Sequence, residues 1–135
     1  MPSYRFDHIH LNSRDPQAAA EYYRRTFGAR VIESIQLDGQ PRFDVDLDGL
    51  MIFIAKVSPD AETGTANDAI GMSHFGLCVD NLDDAVAALK HAGAKFAVEP
   101  YASKRKAGLR IAFVQAPENV LIEILERRGP ETSNP

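Results

Sequence analysis

Between Tyr4 and Asn12 the side chains alternate with the period of a strand, placing Phe6, His8 and His10 on one face and Asp7, Ile9 and Leu11 on the other. The pattern then breaks at Ser13-Arg14-Asp15-Pro16, which reads as a helix start: an Asp cap with proline at the first helical position. A helix is expected through Ala18-Ala19-Ala20-Glu21-Tyr22-Tyr23 to Phe27, stopping at Gly28. Beyond it, Arg30 to Leu37, Pro41 to Leu47 and Leu50 to Val57 read as three strands. The dipeptides Asp38-Gly39 and Asp48-Gly49 mark the hairpin turns between them.

The polar, turn-rich stretch from Ser58 to Gly71 reads as a linker. After it the order of elements recurs. Met72 to Val79 is expected as a strand, Leu82 to His91 as a helix with Gly93 as its stop, and Lys95 to Val98 as a short strand. A basic loop from Tyr101 to Ala107 follows, then a strand from Leu109 to Gln115, a turn at Pro117-Glu118-Asn119 and a strand from Val120 to Arg127. Each half is therefore β-α-β-β-β, in an α+β chain divided as module 1–57, linker 58–71, module 72–128 and flexible tail 129–135. Spacing supports the duplication. His8 lies 20 residues before Gly28, and His74 lies 19 before Gly93. Phe53 stands four residues past Gly49, and Glu123 four past Asn119. On that alignment His8 corresponds to His74, and Phe53 to Glu123.

Length and composition leave this picture intact. With 135 residues, 44% of them hydrophobic and 25% charged, the chain is long enough to bury a core. Fifteen basic against 19 acidic side chains give a net charge of −4, which argues against nucleic acid as a partner. No apolar run approaches a membrane span, and no charged-then-apolar leader opens the sequence. The single cysteine, Cys78, has no internal disulfide partner, so a reducing, cytoplasmic setting is expected.

Two histidines and one glutamate in strands this apolar call for partners, because burying such groups alone costs several kcal/mol. One resolution is ordinary: hydrogen-bonded core histidines and a Glu123 paired with an arginine. The other is a shared site, since two imidazoles and a carboxylate form the facial arrangement that holds one divalent Fe, Mn, Ni, Zn or Co with positions left open. The symmetric placement of His8 and His74 favours the second.

These motifs resemble a known family. Asp7-His8-Ile9, Ala20-Glu21-Tyr22-Tyr23 with Phe27-Gly28, Ser73-His74-Phe75 with Val79-Asp80-Asn81, and Pro117-Glu118-Asn119 with Ile122-Glu123 are similar to the vicinal oxygen chelate superfamily. That superfamily includes glyoxalase I, methylmalonyl-CoA epimerase, fosfomycin and bleomycin resistance proteins and extradiol dioxygenases. The resemblance covers about residues 5 to 127. It implies paired βαβββ modules whose curved mixed sheets close around a divalent metal, often in a homodimer, with His8, His74 and Glu123 as ligands. It also implies a small-molecule substrate with neighbouring oxygens. One departure stands out. Glyoxalase- and epimerase-like members carry a ligating glutamate or glutamine where this chain has Phe53, so proton transfer by a carboxylate of the first module is weakened. A three-ligand site resembles the fosfomycin-modifying and ring-cleaving members instead. The small hydroxylated anion-binding residues of the fosfomycin group are not evident in Ile111-Ala112-Phe113.

Around this site, His10 shares the His8 face and reads either as a general acid/base or as a surface histidine. Cys78 reads as a small buried hydrophobe sooner than as a nucleophile. Lys104-Arg105-Lys106 reads as a solvated loop or as a holder of carboxylate or phosphate, with Arg110 reaching inward from the next strand. Phe53 and Phe113 are candidate apolar walls for a substrate. Three functions follow: a metal-dependent lyase or isomerase with His10 as base and Glu123 on the metal, a non-haem Fe(II) dioxygenase, and a bleomycin-resistance-type sequestering protein.

Overall fold

A computed structural model describes residue 3 and residues 5–62, 72–104 and 106–128. The expected tail, most of the expected linker and Arg105 lie outside the described residues. The chain divides into two compact units after Glu62.

The first unit contains β1 (His8–Ser13), α1 (Pro16–Phe27), β2 (Arg30–Ile35), β3 (Pro41–Leu47) and β4 (Leu50–Lys56). Its sheet has the order β1-β4-β3-β2, with β1 parallel to β4 and the other pairs antiparallel. Asp15 caps α1 by accepting from the Ala18 N–H at 3.1 Å. Gly28, at φ 74°, closes the helix in the left-handed region that glycine enters without penalty. Between caps, Ala19, Ala20 and Tyr23 form the buried stripe of α1, and Val45, Leu47, Ile52 and Ile54 supply the sheet face of the core. Each of these larger side chains, fully buried, contributes about 1.5–3 kcal/mol. Burial of the Tyr23 hydroxyl pushes its ionisation well above the ordinary tyrosine range.

The second unit repeats the plan with β5 (Phe75–Cys78), α2 (Leu82–His91), β6 (Lys95–Ala102), β7 (Leu109–Ala116) and β8 (Val120–Arg127). Its order is β5-β8-β7-β6, again with one parallel pair, β5 with β8. The Asn81 side chain caps α2 by accepting from Asp84 N–H at 2.9 Å. Leu82, Val86 and Leu89 of α2 are buried, as are Ala112, Val114, Ile122 and Ile124 of the sheet. Among the described residues no helix is long and apolar enough to cross a membrane.

Several details differ from the sequence-based expectation, among them a shorter β5, Phe75–Cys78 in place of Met72 to Val79, and a β2 that ends at Ile35 in place of Leu37. Strand β6 runs to Ala102, through Pro100 and into the stretch expected as loop. Proline is tolerated there because β6 is an edge strand, and the ladder with β7 shifts register between Val98 and Tyr101, across the proline. Strand β1 starts at His8, with residues 5–7 outside any regular element. Cys78 is exposed, not buried.

The two ladders carry the same offset, which supports the alignment made from spacing. In the first unit His10 faces Phe53, two residues after His8. In the second, Gly76 faces Glu123, two residues after His74.

Candidate metal centre

In the second unit His74 and Glu123 meet. His74 leads into β5 and Glu123 lies on its parallel neighbour β8, so pairing brings the two side chains to the same side of the sheet. The His74 Nε2 stands 3.2 Å from Glu123 Oε1, and its Nδ1 stands 2.7 Å from the Ser73 hydroxyl. Both side chains are partly covered, His74 at 29% and Glu123 at 20% exposure. Phe113, opposite Glu123 in the β7–β8 ladder, meets the His74 ring edge-on with centroids 5.1 Å apart. Glu123 is therefore oriented on one side by an imidazole and walled on another by an aromatic ring.

The pair suits a divalent metal. Two donors each about 2.0–2.1 Å from one ion lie about 2.9 Å apart at a right angle and about 3.4 Å apart at the tetrahedral angle. The observed separation of 3.2 Å falls between. A carboxylate only accepts, so Nε2–H donates to Glu123 and Nδ1 accepts from Ser73. The serine hydroxyl serves either imidazole tautomer. In the other tautomer the proton resides on Nδ1 and is donated to Ser73 Oγ, and Nε2 would carry the lone pair that a metal needs.

In the first unit, His8 has the matching feature one residue upstream. Its Nδ1 donates to Asp7 Oδ2 at 2.7 Å, which leaves the Nε2 lone pair outward. The His8 ring stacks on Phe53, centroids 3.9 Å apart at 22°. The Arg42 guanidinium lies over the Phe53 ring, 4.5 Å from its centroid. Arg42 is held by Asp44, whose nearly buried carboxylate accepts from Arg42 Nε and from the Ile54 N–H at 2.9 Å. The place that corresponds to Glu123 is thus filled by an aromatic ring fixed between an imidazole and a guanidinium. His10, on the same face of β1 as His8, donates from Nε2 to Asn12 Oδ1 at 3.1 Å, leaving a lone pair on Nδ1.

The premise that all three chemistry-bearing groups are buried needs correcting. His8 and His10 are exposed and Glu123 is only partly covered, while the fully buried carboxylate of β8 is Glu126. Glu126 points to the helix side, where it accepts from the Leu82 N–H at the start of α2 at 2.6 Å and pairs with Arg128. Arg110 also belongs to that side. Strand alternation puts Arg110 and Phe113 on opposite faces of β7, and Arg110 pairs with Asp83 of α2 at 3.0 Å. Among the described residues, no group of three or more His, Cys, Asp or Glu side chains stands together as a metal cage. The second unit supplies two donors, and His8 belongs to the first.

Beside His74 and Glu123 opens a cavity of about 770 Å³, with Phe113 and Ile111 on its apolar side and Lys104, Lys106 and Arg127 among its polar lining. Arg127 escaped the sequence-based reading, although its position four residues after Glu123 on one strand already placed both on the same face. Ser73 and Asp7 escaped too. Their signal was the shared position immediately before each histidine.

The family model for the Glyoxalase/Bleomycin resistance protein/Dioxygenase superfamily matches residues 5–124, nearly the whole described fold. The chain belongs to this superfamily. Among solved structures, the superfamily fold recurs in a glyoxalase family protein from Enterococcus faecalis, at 18% identity and TM-score 0.76, covering 90% of this chain and 97% of that one. It recurs in the genomically encoded fosfomycin resistance protein FosX from Listeria monocytogenes, at 15% identity and TM-score 0.72, with coverage of 94% and 96%. TioX from Micromonospora sp. ML1 matches at 22% identity and TM-score 0.63, with coverage of 95% and 100%. No curated protein matches the chain. The superfamily includes enzymes and non-enzymes, its members commonly use a divalent metal, bind small molecules and often form dimers.

Gly76 bears directly on the His74–Glu123 pair of this superfamily member. A Cβ at position 76 would lie 3.4 Å from Glu123 Oε1 and 3.3 Å from the Leu125 side chain. Gly76→Val is therefore expected to push the Glu123 carboxylate away from His74; if the pair ligates a metal, affinity for it falls by about 10- to 100-fold, the range seen when a ligand's support is lost. A chelator-competition titration reads the change, and unchanged affinity would show that the carboxylate has room to spare.

Proposed function

We propose that this protein is a metal-dependent lyase or isomerase acting on a small substrate with neighbouring oxygens. His8, His74 and Glu123 hold one divalent ion, Fe, Mn, Ni, Zn or Co, and the protein works as a homodimer in the cytoplasm. The observation that carries the reading is the His74–Glu123 pair at 3.2 Å with its Ser73 support, together with the matching Asp7–His8 pair. When bound, the metal supplies a Lewis acid with open positions for two substrate oxygens.

The chain's own residues perform the remaining tasks. Ser73 and Asp7 each hold an imidazole by Nδ1, so that Nε2 is presented for ligation. Phe53 keeps the fourth corner free of a competing ligand and fixes the plane of the His8 ring. Phe113 offers an apolar wall that excludes water on the Glu123 side. His10 is the proton carrier: with Nε2 committed to Asn12, Nδ1 is the free basic atom.

Metal-loaded protein offered a 2-hydroxy-carbonyl substrate in deuterated water is expected to exchange the α-proton, and His10→Ala to slow that exchange by about 10²–10⁴-fold, as loss of a general base does. Exchange that persists in His10→Ala would move the proton transfer to another group. Dependence on iron, with O2 consumed on a catechol, would instead establish the dioxygenase alternative, which the lack of a ligating side chain at Phe53 favours. Tight stoichiometric binding of an organic ligand with neither activity would establish the sequestering alternative.

A further inference from the structure

The cavity beside Glu123 has a direction. Across β7 and β8, three facing pairs line one side of the sheet: Phe113 with Glu123, Ile111 with Leu125, and Leu109 with Arg127. At about 3.3 Å per residue, the Glu123 and Arg127 backbones are about 13 Å apart. One end thus carries the metal donors, the middle is apolar, and the far end carries Arg127 with Lys104 and Lys106. Among the described residues none of these three cations is paired with a carboxylate, whereas Arg110 of β7 and Arg128, just past β8, are.

The two lysines are placed by a structured loop. Ser103 N–H donates to the Leu109 carbonyl at 2.8 Å, closing the neck, and Ser103 Oγ accepts from Lys106 N–H at 3.2 Å. Gly108, at φ 80°, lets Arg128 N–H reach its carbonyl at 2.6 Å; a Cβ there would overlap the Arg128 carbonyl oxygen. That contact ties the loop to the end of β8, where Arg127 sits. Three positive charges gathered on one wall of a chain with net charge −4 mark a local inversion of sign.

We propose that the substrate is an elongated organic anion: an apolar body that lies along Phe113 and Ile111, ended by a carboxylate or phosphate that Lys104, Lys106 and Arg127 hold. This rests on the metal reading for the orientation of the reacting end, but the anion subsite does not need the metal to bind. The geometry separates head from reacting oxygens by several ångströms of apolar path, so a compact dianion alone would not reach both ends.

The test uses the full chain, stripped of metal with a chelator, and isothermal titration calorimetry with 4-phenylbutyrate and its neutral amide. The carboxylate is expected to bind at least about tenfold more tightly than the amide, and less tightly as added salt screens the wall. The triple variant Lys104→Ala/Lys106→Ala/Arg127→Ala is expected to lose that preference, and Arg127→Lys alone to keep most of it. Glu123→Gln is expected to retain or tighten binding while losing metal, so failure of the metal reading and failure of the anion subsite are separately visible. No saturable binding of 4-phenylbutyrate, equal binding of the amide, or an unchanged triple variant with native circular dichroism would each overturn the proposal.

Discussion

Glu126→Ala is expected to lower the stability of the second module by about 1–3 kcal/mol, the loss typical when a buried donor is left without its acceptor. Glu126 has no solvent exposure, and its carboxylate accepts from the Leu82 N–H while pairing with Arg128. Leu82 opens α2 and is itself fully buried, so alanine would leave a helix N-terminal donor unpaired and out of reach of water. It would also remove the negative charge that complements the helix dipole. Glu126→Gln keeps an acceptor of the same shape and should recover part of the loss. Urea denaturation followed by circular dichroism measures both variants. Because domains are stable by only about 5–15 kcal/mol, that loss should be a readily measured share of the total. A loss below about 1 kcal/mol would mean that another acceptor takes over at Leu82.

Under the proposed assignment, Glu123→Gln is expected to weaken divalent-metal binding by more than about 100-fold, beyond the 10- to 100-fold that outer partners of a ligand contribute. The amide keeps the shape and an acceptor for His74, so the fold should survive; what disappears is the anionic donor. Ser73→Ala, which removes only the hydroxyl at His74 Nδ1, should cost about tenfold. Competition against a chelator of known affinity ranks the three proteins. Equal affinities would take Glu123 off the metal and return it to the plainer role of hydrogen-bonding His74.

Much of the fold was legible because punctuation and period agreed. Asp15-Pro16 and Gly28 bound α1 where the sequence placed it, and the Asp48-Gly49 turn separates β3 from β4 with both residues at positive φ. The expected bounds of β3, α2 and β8 coincide with the observed ones. The edge strand was the weak point, since Pro100 looks like a terminator in isolation and is harmless on an unpaired edge. Periodicity also held information that burial arguments obscured. An acid in an apolar strand suggested a metal ligand, yet the more deeply buried acid, Glu126, is satisfied by a helix N-terminus and an arginine. Parity alone would have separated the two faces: Glu123, Leu125 and Arg127 with Phe113 on one, Glu126 and Arg110 on the other. The duplication was readable from spacing, and the two ladders repeat its offset residue for residue. Phe53 was legible as a departure, but not its support: the Arg42–Asp44 pair is held by a backbone contact to Ile54 that no local pattern announces.

Under the proposed assignment His8, His74 and Glu123 share a single ion. X-ray absorption at the zinc edge of the zinc-loaded protein tests it most directly, because imidazole rings leave a distinct multiple-scattering signature. The account predicts two imidazoles with oxygen donors at about 2.0–2.2 Å, falling to one imidazole in either His8→Ala or His74→Ala. A spectrum with one imidazole in the unaltered protein, or one that His8→Ala leaves unchanged, would contradict it.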